Sequence, residues 1–450
     1  MGTKKYLSWK QSISLKKYSD SQWVICIYEK SAEPLEYLIN DTAAEIISLF
    51  DGTKTYAEAI AFLSKKYGES LDSINEKVSV FLSLLKKEYN LLLIEDARKR
   101  PIKINIENMY PRVCSLELTN MCNIRCLHCY GDFGIPDKKA TLSFGEAKSI
   151  LGQLRKIGVD IVELTGGDVT VHPQFHEILY NALSAGFKKV VVLTNGILLN
   201  SRVFDLANQF RDRIIFQIDL QSLDDEYIHW FTGAKNTVER IKSNIVELVE
   251  RGVYVRVVTT ATKKNLLELD NIAKWAYEVG AKEYAVTTVV SLGRAISDNS
   301  DLYISEEKDL AVFSEKLQEI VQKYPNFLHL NIDGQNIRHN CGCVSSHVVI
   351  DSHGDIKLCT MDNLQYFNSS LGNVLKEDIA TIYDYNRELV FSLAEMSAPN
   401  KDSSECKDCL DRFYCNGCIL RGVIKGTKND SCRWLERMPV PVKNKFFKRT

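Results

Sequence analysis

Apolar and polar positions alternate differently in successive stretches of the chain. Up to residue 95 the apolar runs are short. Trp23-Val24-Ile25-Cys26-Ile27-Tyr28 and Leu35 to Ile39 read as the strands of a hairpin. Thr42-Ala43-Ala44-Glu45 has the form of a capping box, in which a hydroxyl and a carboxylate satisfy each other's backbone donors at a helix start. Tyr56, Ile60, Leu63 and Tyr67 recur at helical spacing, as do Ile74, Val78, Phe81, Leu82 and Leu85, and Leu91 to Ile94 predicts a strand returning to the hairpin. Residues 96–112, with Lys99-Arg100-Pro101 and Pro111 among polar neighbours, read as a linker. From 113 to 325 the pattern becomes a βα repeat. Strands are expected at Val113–Leu118, Ile161–Leu164, Val190–Leu193, Ile214–Leu220, Val253–Thr260 and Tyr284–Val290. Helices are expected at Ser143–Ile157, after Pro173, near Phe204, at Val238–Glu250, after Asn265 and at Glu306–Tyr324. Six strands alternating with helices predict a parallel sheet or partial barrel, whose ligands sit at the carboxyl ends of the strands.

Composition narrows the class. Hydrophobic residues at 45% and charged ones at 26% are ordinary globular values, and 450 residues suit two or three domains. A net charge of −1 makes no electrostatic case for nucleic acid or a membrane surface. No apolar run reaches the length of a membrane span, and the lysines of Met1 to Tyr6 have no apolar segment behind them, so a cytoplasmic chain is expected. Of thirteen cysteines, eight lie beyond residue 340. In a reducing compartment such clustering points to metal rather than disulfides.

Cys122, Cys126 and Cys129 lie in one short stretch between an expected strand and an expected helix. A cluster of four irons and four sulfides has four corners, and three thiolates from one loop leave the fourth iron open. A zinc knuckle would instead close with a fourth Cys or His. The second field comprises Cys341, Cys343, Cys359, Cys406, Cys409, Cys415, Cys418 and Cys432. Its C-x2-C steps each place two sulfurs on one metal, as clusters and zinc ribbons both require. Cys26 and Cys114 alternate with apolar neighbours and read as core thiols. At the strand ends, Thr165-Gly166-Gly167-Asp168 offers close backbone approach and a carboxylate for an ammonium group, against the alternative of an ordinary turn.

The triple at 122, 126 and 129 resembles that of the radical SAM enzymes. In that family the open iron binds the amino and carboxylate groups of S-adenosylmethionine, and a 5′-deoxyadenosyl radical then abstracts a substrate hydrogen. The resemblance implies that Gly166, Gly167 and Asp168 hold the methionine amine, with Asp in place of the usual Glu, and that Thr194 and Asn195 lie close to the cofactor. Asp219 stands where a serine is usual and Gln221 where an aspartate is usual, while Thr232-Gly233 replaces a frequent Arg-Gly. Arg256 and Arg294 then become the candidate cations for the methionine carboxylate. The C-terminal array resembles the SPASM domain, which implies two auxiliary [4Fe-4S] clusters. One would use Cys341 or Cys343, or both, with Cys359 and Cys418; the other would use Cys406, Cys409, Cys415 and Cys432.

The first ninety-five residues resemble the winged-helix-like recognition element of peptide-modifying enzymes, where a precursor leader adds as a strand to a sheet edge. Together these likenesses resemble the sactisynthases of the subtilosin A maturase type. The implied α/β fold is a partial (β/α)6 radical SAM barrel at 113–325, with a winged-helix-like domain at 1–95, a linker at 96–112 and a cysteine-rich SPASM domain at 326–450. The implied activity joins a cysteine sulfur to a carbon of a cysteine-containing precursor peptide, with one electron from a reduced flavodoxin- or ferredoxin-type donor. A maturase forming carbon–carbon crosslinks or epimerised residues, and a noncatalytic zinc or electron-carrier protein, are the rival readings.

Overall fold

Seven short strands and three helices are described in the first part of the chain: β1 (Tyr6–Trp9), β2 (Ser12–Lys17), β3 (Gln22–Tyr28), β4 (Leu35–Asn40), α1 (Asp41–Ser48), β5 (Asp51–Thr55), α2 (Tyr56–Tyr67), α3 (Leu71–Tyr89), β6 (Leu93–Glu95) and β7 (Lys103–Asn105). The computed structural model describes residues 5–17, 22–28, 35–96, 102–105, 110–135, 140–297, 299–329, 340–362, 364, 370–428 and 431–447. The chain divides into two compact units, one built on residues 1–109 and the other beginning at Tyr110.

In the first unit β3 and β4 pair antiparallel, with Trp23 opposite Ile39, as the alternation predicts. The sheet runs β4-β3-β2-β7, which leaves β4 at one edge, while β1 lies between β5 and β6 in a second sheet. The strand expected at 91–94 therefore does not return to the hairpin; Leu93 lies opposite Trp9 instead. The expected capping box is also displaced. Asn40, extended at φ −84° and ψ 172°, caps α1 by accepting from the Ala43 amide, which puts Thr42 inside the helix; the box forms at Thr55 and Glu58. Trp9, Ile25, Ile47, Phe50, Leu63 and Val78 share one core, each burial contributing roughly 1.5–3 kcal/mol.

The second unit alternates as the periodicity predicts: β8 (Val113–Thr119), α4 (Phe144–Ile157), β9 (Ile161–Gly166), α5 (Phe175–Ser184), β10 (Lys189–Thr194), α6 (Ser201–Gln209), β11 (Ile214–Asp219), α7 (Asp225–Thr232), α8 (Val238–Glu250), β12 (Tyr254–Ala261), α9 (Leu269–Glu278), β13 (Glu283–Thr288), α10 (Glu307–Lys323) and β14 (Leu328–His329). Then come β15 (His347–Ile350), β16 (Ile356–Lys357), α11 (Ile379–Tyr385), α12 (Arg387–Glu395), α13 (Arg412–Cys415), α14 (Ile419–Gly426), α15 (Arg433–Glu436) and α16 (Val440–Phe446). The sheet order is β14-β13-β12-β11-β10-β9-β8-β15-β16, parallel from β14 through β15. Beyond the six expected strands, a two-residue β14 and the hairpin β15–β16 extend the sheet. Strands of two and four residues are too short for alternation to reveal.

Alternation along β8 separates two environments. Cys114, Leu116 and Leu118 are buried apolar residues, whereas Ser115, Glu117 and Thr119 take polar partners on the other face. There Ser115 bonds both Glu163 and His347, and Lys357 reaches Glu117 at 2.6 Å. The hairpin β15–β16 is thus tied into the sheet by buried charge as well as by backbone pairing. Lys443 to Arg449, which reads as a solvated tail in sequence, is helical through Phe446, with Val442 and Phe446 buried; 448–450 lie outside the described residues.

Candidate active site

The loop from Asn120 to Asp132 leaves the carboxyl end of β8 and is held from several sides. The Gly167 amide donates to Thr119 O at 2.8 Å and the Asp168 amide to Met121 O at 2.9 Å. The amides of Arg125 and Leu127 each donate at 2.8 Å to the last carbonyls of α7, those of Thr232 and Phe231. Gly293 fits under the loop so closely that a Cβ there would lie 2.4 Å from Tyr130 O and 2.5 Å from Cys129 O. Cys122, Cys126 and Cys129 are each half-buried. Burial pushes the Cys122 thiol up to about 11 and raises the Cys126 thiol well above its ordinary value; Cys129 adds to both, and Cys122 adds to Cys126. Metal binding there must expel protons.

Three of the residues expected at the cofactor have protein partners in this structure. Asp168 is fully buried and its carboxylate is spent. Oδ1 accepts from the Thr170 amide and hydroxyl, and Oδ2 accepts from the Thr194 hydroxyl at 2.8 Å and the Asn195 amide at 2.7 Å. Four donors fill the lone pairs of a carboxylate, so this side chain joins β9 to β10 rather than reaching an ammonium group. Arg256 is the third residue of the eight-residue β12, away from its carboxyl end. Its Nε donates to Glu283 at 2.6 Å and its Nη1 to Gln217 at 3.3 Å, so its charge is paired within the sheet. Arg294 does lie beside the cysteines but grips their loop: Nε donates to Cys126 O at 2.9 Å, and Nη1 to Asp132 at 2.7 Å and to Phe133 O at 2.9 Å.

The two glycines of Gly166-Gly167-Asp168 also have a protein partner. A Cβ on Gly166 would lie 2.2 Å from Thr119 O, and one on Gly167 would lie 2.1 Å from Met121 O. The backbone they admit is the cysteine loop itself. Thr194 and Asn195 stand at the end of β10, and the Asn195 amide side chain donates to Asn123 in the cysteine loop at 2.8 Å. Asp219 ends β11 close enough to Cys126 to raise its thiol. Burial, then the charge of Asp168, pushes the Asp219 carboxyl up to about 7.

The C-terminal cysteines fall into two groups. Cys341 and Cys343 share a thiol hydrogen bond that favours the thiolate on Cys341, and Cys343 feels Cys359 and Cys418. Cys359 in turn feels Cys341 and Cys418. Cys415 is pushed up to about 12 by burial and by Asp411, Cys409, Cys432 and Cys406. Among the described residues no three Cys, His, Asp or Glu side chains converge tightly enough for a single ion. Thiols that influence one another without meeting at a point fit the separated corners of a polynuclear cluster. Tyr130 joins the two fields: its buried hydroxyl bonds Thr360 and lies within the influence of Cys129 and Cys359, which raise it further.

Comparison with known proteins supports the same reading. Residues 116–276 match the radical SAM superfamily. These residues form a radical SAM domain. Residues 341–410 match the SPASM iron–sulfur cluster-binding domain, so iron–sulfur clusters and S-adenosylmethionine are the cofactors that these two domains take. The chain is 29% identical over 410 residues to the antilisterial bacteriocin subtilosin biosynthesis protein AlbA of Bacillus subtilis, covering 90% of each chain. It is 24% identical to the sporulation killing factor maturation protein SkfB of the same organism, over 71% of this chain and 75% of that one. Among solved structures, Streptococcus suis SuiB bound to S-adenosylmethionine superposes with a TM-score of 0.62 at 15% identity, covering 95% of this chain and 100% of that chain. This last likeness shows the radical SAM fold alone.

Glu117, Asn123, Tyr130, Asp132, Gly293 and Lys357 join the site without having been singled out as functional residues by sequence. Tyr130 had one available signal, its position directly after Cys129. Lys357 and Glu117 are 240 positions apart, and no local pattern pairs them.

Proposed function

We propose that this protein matures a ribosomally made peptide by joining a cysteine sulfur to a carbon of the same peptide. The observation that carries the reading is the likeness to the subtilosin biosynthesis protein over 90% of both chains. The donor sets are consistent with it: one triple of thiols and two further groups drawing on eight. A solved SuiB structure, TM-score 0.61, holds that protein with its precursor peptide SuiA.

In this reading Cys122, Cys126 and Cys129 hold one [4Fe-4S] cluster. Cys341, Cys343, Cys359 and Cys418 hold a second, and Cys406, Cys409, Cys415 and Cys432 a third. S-adenosylmethionine at the first cluster supplies the hydrogen-abstracting 5′-deoxyadenosyl radical. Asp168 and Arg294 act one step back, fixing the strand ends and the cysteine loop against which the cofactor lies. Thr194, Asn195 and Asp219 line the carboxyl ends of β10 and β11. Asp219, kept protonated to near neutrality, suits a hydroxyl partner better than an ammonium one. The edge of β4, which no other strand pairs among the described residues, takes the leader of the precursor as an added strand.

The test is mass spectrometry of a cysteine-containing precursor peptide after anaerobic incubation with reconstituted protein, reductant and S-adenosylmethionine. Loss of two hydrogens per bond, with the cysteines becoming resistant to alkylation, is the expected outcome. The same loss with alkylatable cysteines would assign carbon–carbon crosslinking. Deuterium uptake from heavy water, without the loss of two hydrogens, would assign epimerisation.

A further inference from the structure

One arginine lies between the two groups of C-terminal cysteines. Arg421 is the third residue of α14, the helix whose N-cap is Cys418. The Arg421 amide donates to the Cys418 sulfur at 3.5 Å, and the Arg421 carbonyl lies 3.7 Å from the Cys415 sulfur. Cys418 falls with Cys341, Cys343 and Cys359, and Cys415 with Cys406, Cys409 and Cys432. A single residue therefore touches a thiol of each group.

Its side chain is held in place but not used up. Nη2 donates to Asn416 O at 3.1 Å, and the guanidinium lies 5.7 Å over the Tyr414 ring. Lys425, one turn along the same helix, has a carboxylate in Asp411 at 3.0 Å. Arg421 has none among the described residues, and its Nε is buried without a hydrogen-bond partner. A buried N–H without an acceptor is costly, and so is a guanidinium without a counter-charge, unless an anionic group completes the site. No cysteine sulfur accepts from Nε. An iron–sulfur group assembled on the neighbouring cysteines supplies both sulfide acceptors and negative charge.

Resting on the reading of these eight cysteines as ligands of two auxiliary iron–sulfur groups, we propose that Arg421 raises the reduction potential of both. Its Nε–H is given to a sulfide, and its charge stabilises the extra electron that each group carries when reduced. Arg421 acts through the groups and touches neither the peptide nor S-adenosylmethionine. In the proposed reaction a cysteine first loses its proton to water. Its thiolate and the carbon radical then hold one electron more than their new bond needs. A raised potential makes the auxiliary groups the acceptors of that electron, so the peptide is oxidised as a group is reduced by one.

The experiment is an anaerobic redox titration of the reconstituted protein, without peptide or S-adenosylmethionine, followed by electron paramagnetic resonance at each cluster's signal. Arg421→Met removes the charge and every side-chain donor. It should lower the ratio of reduced to oxidised auxiliary groups at a fixed potential by about tenfold, roughly 59 mV for one electron. Arg421→Lys keeps the charge but not the Nε donor, and should lower that ratio by about threefold. Iron content and the potential of the first cluster should stay as they are in both variants. Unshifted auxiliary potentials in either variant at full iron content would overturn the proposal, so Arg421→Lys carries the test alone if Arg421→Met loses iron. An equal shift at the first cluster would overturn it too, because a general loosening then accounts for the change. A reconstituted protein that holds iron for the first cluster alone would sink the auxiliary reading beneath the proposal, a separate failure.

Discussion

Replacing Gly167 by Ala tests whether the glycine pair serves the cysteine loop rather than the ligand. The added Cβ would sit 2.1 Å from Met121 O and 2.5 Å from Met121 C, whereas atoms pack at roughly 3.5 Å, so the loop must withdraw by about 1 Å. Gly167 is not among the glycines with positive φ, which makes the collision the sole new cost. Withdrawal breaks the bond from the Asp168 amide to Met121 O and moves Cys122, the next residue. Overpacking at about 1–3 kcal/mol plus a lost hydrogen bond at about 0.5–1.5 kcal/mol gives roughly 1.5–4.5 kcal/mol. The assay is iron and sulfide content after reconstitution, with electron paramagnetic resonance to separate the clusters and thermal unfolding alongside. The expected variant loses the first cluster and S-adenosylmethionine cleavage, retains the auxiliary signals, and melts lower. Gly152→Ala is the control: that glycine lies inside α4 with nothing within 4 Å, so the change should stabilise by roughly 0.5–1 kcal/mol. A Gly167→Ala protein with full iron, normal cleavage and an unchanged melting curve would refute the reasoning.

Lys357→Met should destabilise by about 3–5 kcal/mol, because it strands Glu117, whose carboxyl burial already raises; adding Glu117→Gln should recover much of that loss in urea unfolding. Arg294→Lys cannot span Cys126 O, Asp132 and Phe133 O together, so the first cluster should be lost faster to a chelator while the auxiliary clusters stay. In metal-free protein, Asp219 holds a proton in the folded state up to about 7 but only to 3.8 when unfolded, so its stabilising contribution is full below 3.8 and fades as pH rises through that window. Asp219→Asn should flatten this dependence, worth at most about 1.4 kcal/mol per pH unit, in denaturant melts across the range. An unaltered pH profile would show that Asp219 titrates normally.

What the sequence determined by itself was local. Alternation and helical spacing place β3, β4, α2, α3 and the barrel strands because each depends on neighbours within a few residues. The cysteine triple and the C-x2-C steps were legible because one loop must present those thiols, whatever the rest of the chain does. The division of the later cysteines into 341, 343, 359, 418 and 406, 409, 415, 432 came from family resemblance; in the folded chain Cys343 feels Cys341, Cys359 and Cys418, and Cys415 feels Cys406, Cys409 and Cys432. The tertiary structure alone decided which charged groups remain available. Asp168, Arg256 and Arg294 each read as a ligand to the cofactor in one dimension, and each finds its acceptors or donors on a different strand or loop once folded. A buried charge takes whichever partner the fold brings within reach, and that partner is invisible to spacing. The same holds for the glycines at 166 and 167: sequence shows that something must come close to them, and only the packed sheet shows that it is the loop carrying Cys122.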